Sequence, residues 1–245
     1  MRISALIPAR YDSKRFPGKL TKKLGKKSVI WHTYTSVLNS KLFNDVCVIT
    51  DSEIIYKHLK QFNFNVLFSD TYHECGTDRI AEMSHKFDSD IFFNIQGDEP
   101  FIDKDGLKKL INIFKEDIKS KIDLASLMTP ILDSKEINDQ NVVKVIIDKN
   151  NFAIYFSRYL VPYNQEKKEF YQYFKHIGVY AFRKRALQEF SQQGKTPLES
   201  VEKIEAIRFL EMGNKIKMVE TNKLTIGIDT VKDLKKANIL INKKL

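Results

Sequence analysis

Short apolar runs alternate with stretches of helical period through the N-terminal part of this 245-residue chain, and that alternation fixes what it can become. Ile3–Ile7, Val46–Thr50, Asn65–Phe68 and Ile91–Ile95 predict strands. Each run is continuous rather than alternating, as in strands covered on both faces. Between them Val29–Leu38, Glu53–Phe62 and Asp78–Phe87 predict helices, with Asp51-Ser52 offering an N-cap to the second and Thr77-Asp78 to the third. The order predicts an α/β fold with a mostly parallel central sheet and helices on both faces. Ligands of such sheets bind beyond the carboxyl ends of the strands, here the loops after Ile7, Thr50 and Ile95.

The second half is less regular. Val142–Asp148 and Ala153–Ser157 predict a hairpin around the Asp148–Asn151 turn, and His176–Phe182 a further strand. One helix is expected over Leu198–Met212, ending at Gly213, then a strand Lys215–Glu220 and a last helix Val231–Ile241. No linker rich in Gly, Pro or Ser divides the chain. One domain spanning 1–245 is expected, with residues 150–185 or so as an inserted β arm suited to a subunit contact.

With 42% apolar and 29% charged residues the chain is neither a disordered tail nor a fibre. Its apolar runs are too short to cross a bilayer, and Ile3–Ile7 is too brief for a signal-peptide core. Cys47 and Cys75 cannot form a disulfide scaffold; both are expected to pack as small apolar residues, in a reducing cytoplasm. Forty-one Lys and Arg against 31 Asp and Glu leave a formal charge of +10. That excess suits nucleic acid, an anionic membrane surface or a small anionic substrate. The lysine pairs 22–23, 26–27, 108–109, 167–168 and 243–244 are scattered, as on solvated faces, and no recognition helix or aromatic stripe supports nucleic acid.

Chemistry concentrates in the loops. After the first strand, Pro8-Ala9-Arg10 through Pro17-Gly18-Lys19 places Arg10, Lys14, Arg15 and Lys19 in one turn-rich segment. Arg forks and a mobile Lys can wrap a polyphosphate, although neither a Walker A loop nor a GxGxxG fingerprint is present. The fourth strand runs into Gln96-Gly97-Asp98-Glu99, whose carboxylates suit Mg²⁺ together with phosphate oxygens; the alternative is a turn with Gly97 at positive φ and Asp98 as a cap. Asp229, after the short run Thr225–Ile228, is either a second such carboxylate or the N-cap of the last helix. Cys75-Gly76-Thr77-Asp78-Arg79 opens the third helix; a capped start explains Thr77 and Asp78 but not Arg79. His73 and Cys75 lack a second pair at zinc-ligand spacing. His176 and Tyr180, four apart in a strand, share a face, Arg158 follows a strand, and Glu199, Glu202 and Glu205 form a row expected to face solvent.

In sequence order, IPARYDSKRFPGK, CGTDR, NIQGDEPFI, VVKVIIDKNNFAIYFSR, FKHIGVYAFRK, TPLESVEKIEAIRFLE and GIDT resemble the motifs of the 3-deoxy-manno-octulosonate (Kdo) cytidylyltransferases across nearly the whole chain. The resemblance implies a Rossmann-like nucleotidyltransferase fold, Mg²⁺, a homodimer and the reaction CTP + Kdo → CMP-Kdo + pyrophosphate, serving lipopolysaccharide or capsule synthesis in the cytoplasm. It implies that Arg10, Arg15 and Lys19 act on the CTP phosphates and that Asp98 and Asp229 hold the metal. Pro8, Ala9, Cys75, Gly76, Arg79, Gln96 and Gly97 would join Arg10, Lys19 and Asp98 around the nucleotide. Arg158, His176, Tyr180, Glu202 and Glu205 would surround the sugar acid, giving the inserted arm its sugar-binding and dimerisation roles. No side chain stands out as a general base, so metal-assisted deprotonation of the sugar hydroxyl is implied. Two departures stand out: Ala206 replaces the family's usual Gln, and Cys75 its usual Ser. The first leaves CMP transfer to 8-amino-Kdo or a nonulosonic acid as the alternative; a nucleic-acid-binding protein is the alternative of another class.

Overall fold

All seven side chains of β1 (Ile3–Ala9) are buried in the computed structural model of the chain, which describes residues 1–13, 15–165, 171–223 and 226–242. Lys14, Lys167, Lys168, Thr225, Lys243 and Lys244 lie outside the described residues. Packing groups the chain into two units, Met1–Lys104 with Leu224–Leu245, and Asp105–Lys223.

In the first unit, β1 is followed by the two-residue strands β2 (Lys23–Leu24) and β3 (Lys27–Ser28), then α1 (Val29–Ser40). Ser28 caps α1, its hydroxyl accepting from Trp31 N at 3.3 Å. β4 (Asp45–Thr50), α2 (Glu53–Lys60), β5 (Val66–Phe68), α3 (Gly76–Met83) and β6 (Ile91–Ile95) complete the alternation. β1 pairs in parallel with β4 on one side and β6 on the other, and β4 pairs in parallel with β5. β6 is buried along its whole length, as the continuous apolar run requires. Full burial of Phe92 and of Phe93 contributes about 1.5–3 kcal/mol each. The strand order reverses at β1, so the loops after β1 and β6 flank the switch point where an open α/β sheet binds its ligand.

The second unit carries α4 (Lys104–Glu116), β7 (Leu124–Pro130), the single turn α5 (Ser134–Ile137), β8 (Lys144–Ile147), β9 (Ala153–Ser157) and β10 (Phe174–Arg183). The predicted hairpin is present: β8 pairs antiparallel with β9, and Asp148 N donates to Phe152 O at 2.8 Å across the turn. Next come α6 (Lys184–Gln192), α7 (Pro197–Glu202), α8 (Ala206–Glu211) and β11 (Ile216–Glu220). β7 runs parallel to β11 and antiparallel to β10. The chain then re-enters the first unit, where the last described element is α9 (Val231–Asn242). Among the described residues no helix is long and apolar enough to cross a membrane.

The single helix expected over Leu198–Met212 is two helices. Lys203 closes α7 in the left-handed region (φ 57°), its N–H bonded to Glu199 O at 2.8 Å, and α8 starts afresh at Ala206. Nor is the glutamate row solvated. Glu199 is buried in a two-pronged ion pair with Arg208, Nε to Oε2 at 2.8 Å and Nη2 to Oε1 at 2.9 Å. The Arg208 guanidinium lies 4.2 Å from the Phe190 ring centroid.

Candidate active site

The basic loop leaves β1 at Ala9 and turns at Gly18, whose φ of 65° a residue with a Cβ adopts only under strain. That turn starts the 3₁₀ segment Lys19–Thr21 and sends the buried Lys19 side chain inward. The Lys19 ammonium meets two carboxylates at once: it pairs with Asp98, and donates to Asp229 Oδ1 at 2.8 Å. Arg15 Nη2 lies 2.9 Å from the other Asp229 oxygen. Exposure rises from 11% for the Lys19 side chain to 46% for Asp229 and 51% for Arg15, so the cluster opens to solvent at its Arg15 end. Burial pulls the Lys19 pKa down, but Asp98 and then Asp229 outweigh it and hold it above 10.5.

Two local devices bring the aspartates together. Gly97 packs closely, since a Cβ there would sit 3.1 Å from Pro8 O and 3.1 Å from Ile30 Cδ1. It is not among the positive-φ residues, so the turn alternative that invoked positive φ does not describe it. Ile228 N donates to Asp98 O at 2.9 Å, stitching the segment before α9 to the loop after β6. The cap of α9 is Thr230: its hydroxyl accepts from Asp233 N at 3.2 Å, while Asp233 Oδ2 accepts from Thr230 N at 2.9 Å. Asp229 is therefore released from capping. The Thr230-x-x-Asp233 spacing carries that signal in the sequence.

The start of α3 lies against the same strand ends. Its cap is Cys75, not Thr77 or Asp78, with Sγ accepting from Asp78 N at 3.5 Å; this cysteine is half-buried and polar in role. Thr77 is buried and accepts from Asn94 Nδ2 at 2.9 Å, and Asn94 Oδ1 accepts from Gln96 Nε2 at 3.1 Å. A Cβ on Gly76 would lie 3.0 Å from Pro8 Cγ and 3.3 Å from Gln96 Nε2, so Pro8, Gly76, Gln96 and Gly97 form one close-packed floor. Arg79, one helical turn after Gly76, is buried. Nη1 donates to Ala9 O at 3.0 Å and Nη2 pairs with Asp51, a partner that sequence reading missed. Its place is to tie the ends of β1 and β4 to α3. Arg10, by contrast, is exposed at the mouth of the loop.

The residues assigned to the sugar acid all lie in the second unit. His176 and Tyr180 do share a face, with ring centroids 5.4 Å apart, despite a register shift between Ile177 and Tyr180. Burial pushes the His176 pKa down to about 3, and its Nε2 lies 3.0 Å from Ser126 Oγ. Arg158 and Glu202 are interlocked: the Glu202 carboxylate accepts from Ser157 Oγ at 2.7 Å and from Arg158 N at 2.9 Å, and Arg158 Nε donates to Glu202 O at 2.8 Å. Glu205 is half-buried at the start of α8, and Ala206 beside it is buried.

Residues 4–216 match the family model described as cytidylyltransferase. The chain is 51% identical over 241 residues to the 3-deoxy-manno-octulosonate cytidylyltransferase of Christiangramia forsetii, covering 98% of this chain and 97% of the relative. It belongs to the 3-deoxy-manno-octulosonate cytidylyltransferases. The enzyme of that name from Flavobacterium johnsoniae is 48% identical over 241 residues, 98% of this chain and 99% of the relative. A solved CMP:2-keto-3-deoxy-manno-octonic acid synthetase, in complex with CTP, superposes with a TM-score of 0.92 at 32% identity and full coverage of both chains. As a cytidylyltransferase the chain is a nucleotidyltransferase of α/β fold.

Proposed function

We propose that this cytidylyltransferase activates Kdo by the reaction CTP + Kdo → CMP-Kdo + pyrophosphate. The observation that carries the reading is the convergence of Asp98 and Asp229 on one buried ammonium at the switch point of the sheet. Two carboxylates within reach of one small cation, beside a basic loop, fit the donor set of Mg²⁺, which takes one or two carboxylates and completes its shell with waters and phosphate oxygens. Asp98 and Asp229 would hold that ion. Bound there, it supplies charge stabilisation at the phosphate oxygens and a lowered pKa for the attacking sugar hydroxyl.

The remaining work falls to the chain's own cations. The sugar's anomeric hydroxyl attacks the α-phosphorus and pyrophosphate leaves, so negative charge grows on the leaving group. Arg10, Arg15 and Lys19 counter it, Lys19 as a compact point charge and the arginines as planar forks. Gly76 and Gly97, packed on Pro8 more closely than a Cβ would permit, form with Gln96 the floor against which the nucleotide packs. Arg158, His176 and Tyr180 receive the sugar acid, the guanidinium pairing with its carboxylate. The exposed Ile154, Tyr159 and Tyr163 support the arm as a homodimer contact. The cytoplasm, where CTP is made, and supply of lipopolysaccharide or capsule complete the reading.

The test is a mixture of the protein with CTP, Mg²⁺ and each of Kdo, 8-amino-Kdo and a nonulosonic acid, read by the mass of the CMP adduct and by pyrophosphate release. A CMP-Kdo adduct is expected as the preferred product; no adduct with Kdo overturns the reading. Asp98→Ala and Asp229→Ala should each lower turnover by about 100-fold or more. Near-normal turnover of either variant refutes the metal assignment.

A further inference from the structure

Lys144 opens β8 with its side chain fully buried, 1% exposed, and no carboxylate within ion-pair distance among the described residues. Its ammonium has three protons and meets three backbone carbonyls: Asp139 O at 3.0 Å, Val142 O at 2.7 Å and Arg158 O at 2.7 Å. Burial lowers its pKa from 10.5, and Asp139 works in the opposite direction. An apolar side chain could fill this interior without desolvating a charge. What the ammonium does that an apolar side chain cannot is gather carbonyls from the 139–142 loop and from the end of β9 onto one point.

One of those carbonyls belongs to Arg158. Its backbone is held on both sides, the carbonyl by Lys144 and the N–H by Glu202 Oε2 at 2.9 Å. Ser157 Oγ occupies the other Glu202 oxygen at 2.7 Å, so both oxygens of that carboxylate are engaged with the 157–158 backbone and hydroxyl. The guanidinium itself is aimed by three carbonyls: Glu202 O at 2.8 Å, Gln140 O at 3.1 Å and Lys203 O at 3.4 Å. Carbonyl dipoles orient a guanidinium without cancelling its charge, and no carboxylate of the described residues forms an ion pair with it. A charge fixed in direction and outside any ion pair of the described residues is what an incoming carboxylate needs.

We propose that Lys144 and Glu202 are positioning residues that fix Arg158 to receive the carboxylate of the sugar acid. The proposal rests on the reading of Arg158 as the sugar-acid ligand, and it gives Glu202 a task on Arg158 in place of direct contact with the sugar. Lys144 acts from within the unit, through a carbonyl, and touches no substrate.

Steady-state kinetics on the full chain, with CTP and Kdo varied separately, decide it. Arg158→Ala is expected to raise KM for Kdo strongly. Lys144→Met and Glu202→Gln are each expected to raise KM for Kdo about tenfold, leave KM for CTP within about twofold, and add nothing further in the Arg158→Ala background. If Lys144→Met does not fold, as read by circular dichroism, Glu202→Gln answers on the same criteria. Unchanged KM for Kdo in the folded variants, an equal rise in KM for CTP, or an effect that persists without Arg158 each overturn the proposal while leaving Arg158's role intact. Normal KM for Kdo in Arg158→Ala overturns both together.

Discussion

Cys75 caps α3 with a thiol, a weaker acceptor than the hydroxyls and carboxylates that helix N-caps favour. Its thiol accepts from Asp78 N at 3.5 Å and donates to Asp78 Oδ2 at 3.2 Å, so the cap is closed on itself by sulfur contacts. Sulfur is a poor acceptor, and the first turn of a helix carries N–H groups with no intrahelical partner. A hydroxyl in the same place bonds those groups better. Cys75→Ser should therefore raise stability by roughly 0.5–1 kcal/mol, read as a higher urea midpoint at unchanged slope. A lower midpoint would mean that the thiol's bulk, not its capping, matters at this turn. The same residue shows how neighbouring positions divide their tasks. With capping given to Cys75, Thr77 bonds Asn94, just as Asp229 pairs with Lys19 and Arg15 while Thr230 caps α9.

Elements were legible where one physical cause dominated. β1 and β6 are buried on both faces, so their sequences are continuous apolar runs, and the parallel sheet followed from their alternation with helices. The meeting of Lys19 and Asp98 in the candidate site was legible for the same reason: the sheet's switch point designates the loops after β1 and β6, and those loops hold both residues. Legibility failed where a distant partner decides. The sequence reading leaves α4, β7 and α6 unassigned, although Ala125–Met128 within β7 is an apolar run, because in the second unit strand pairing is mixed and the regular strand–helix alternation stops. Nothing local marks Glu199 as buried; its partner Arg208 lies beyond a helix break. The break itself was invisible because Lys203 is an ordinary helix former. It adopts φ 57°, a conformation in which a Cβ crowds the backbone. Lys203→Gly should relieve that crowding and stabilise the chain by about 0.5–1 kcal/mol, the gain reduced by glycine's greater freedom when unfolded. The check is chemical denaturation; a loss of stability would show that the lysine side chain contributes more than its backbone strain costs.

At the scale of the whole molecule, a chain of formal charge +10 gains further positive charge as pH falls, and the histidines that burial holds neutral decide where that begins to weaken the fold. His176 is buried against Phe156 and Tyr180, with ring centroids 4.9 Å and 5.4 Å away, and its pKa is pushed from 6.5 to about 3. The unfolded chain takes up that proton near pH 6.5, whereas the folded one does so only near pH 3. Between these values the unfolded state binds more protons, so the stability contributed by neutral His176 is complete above pH 6.5 and is lost progressively as pH falls. The slope is about 1.4 kcal/mol per pH unit for one proton. His32, His58 and His73 are also lowered by burial and add losses of the same sign. The carboxylates whose pKa values are lowered, Asp117 and Asp139 among them, lose their contributions only below their unfolded values near 4, outside this window. Urea unfolding at pH 7.5 and 5.5 isolates the effect when wild type is compared with His176→Asn. Both proteins feel the general charge repulsion alike, so it cancels in the difference. Wild type is expected to lose about 1.4 kcal/mol more than the variant over that interval. Equal losses in the two proteins would place a proton on His176 in the folded state, and with it a charge among the aromatic rings of β9 and β10 that the packing around this imidazole does not accommodate.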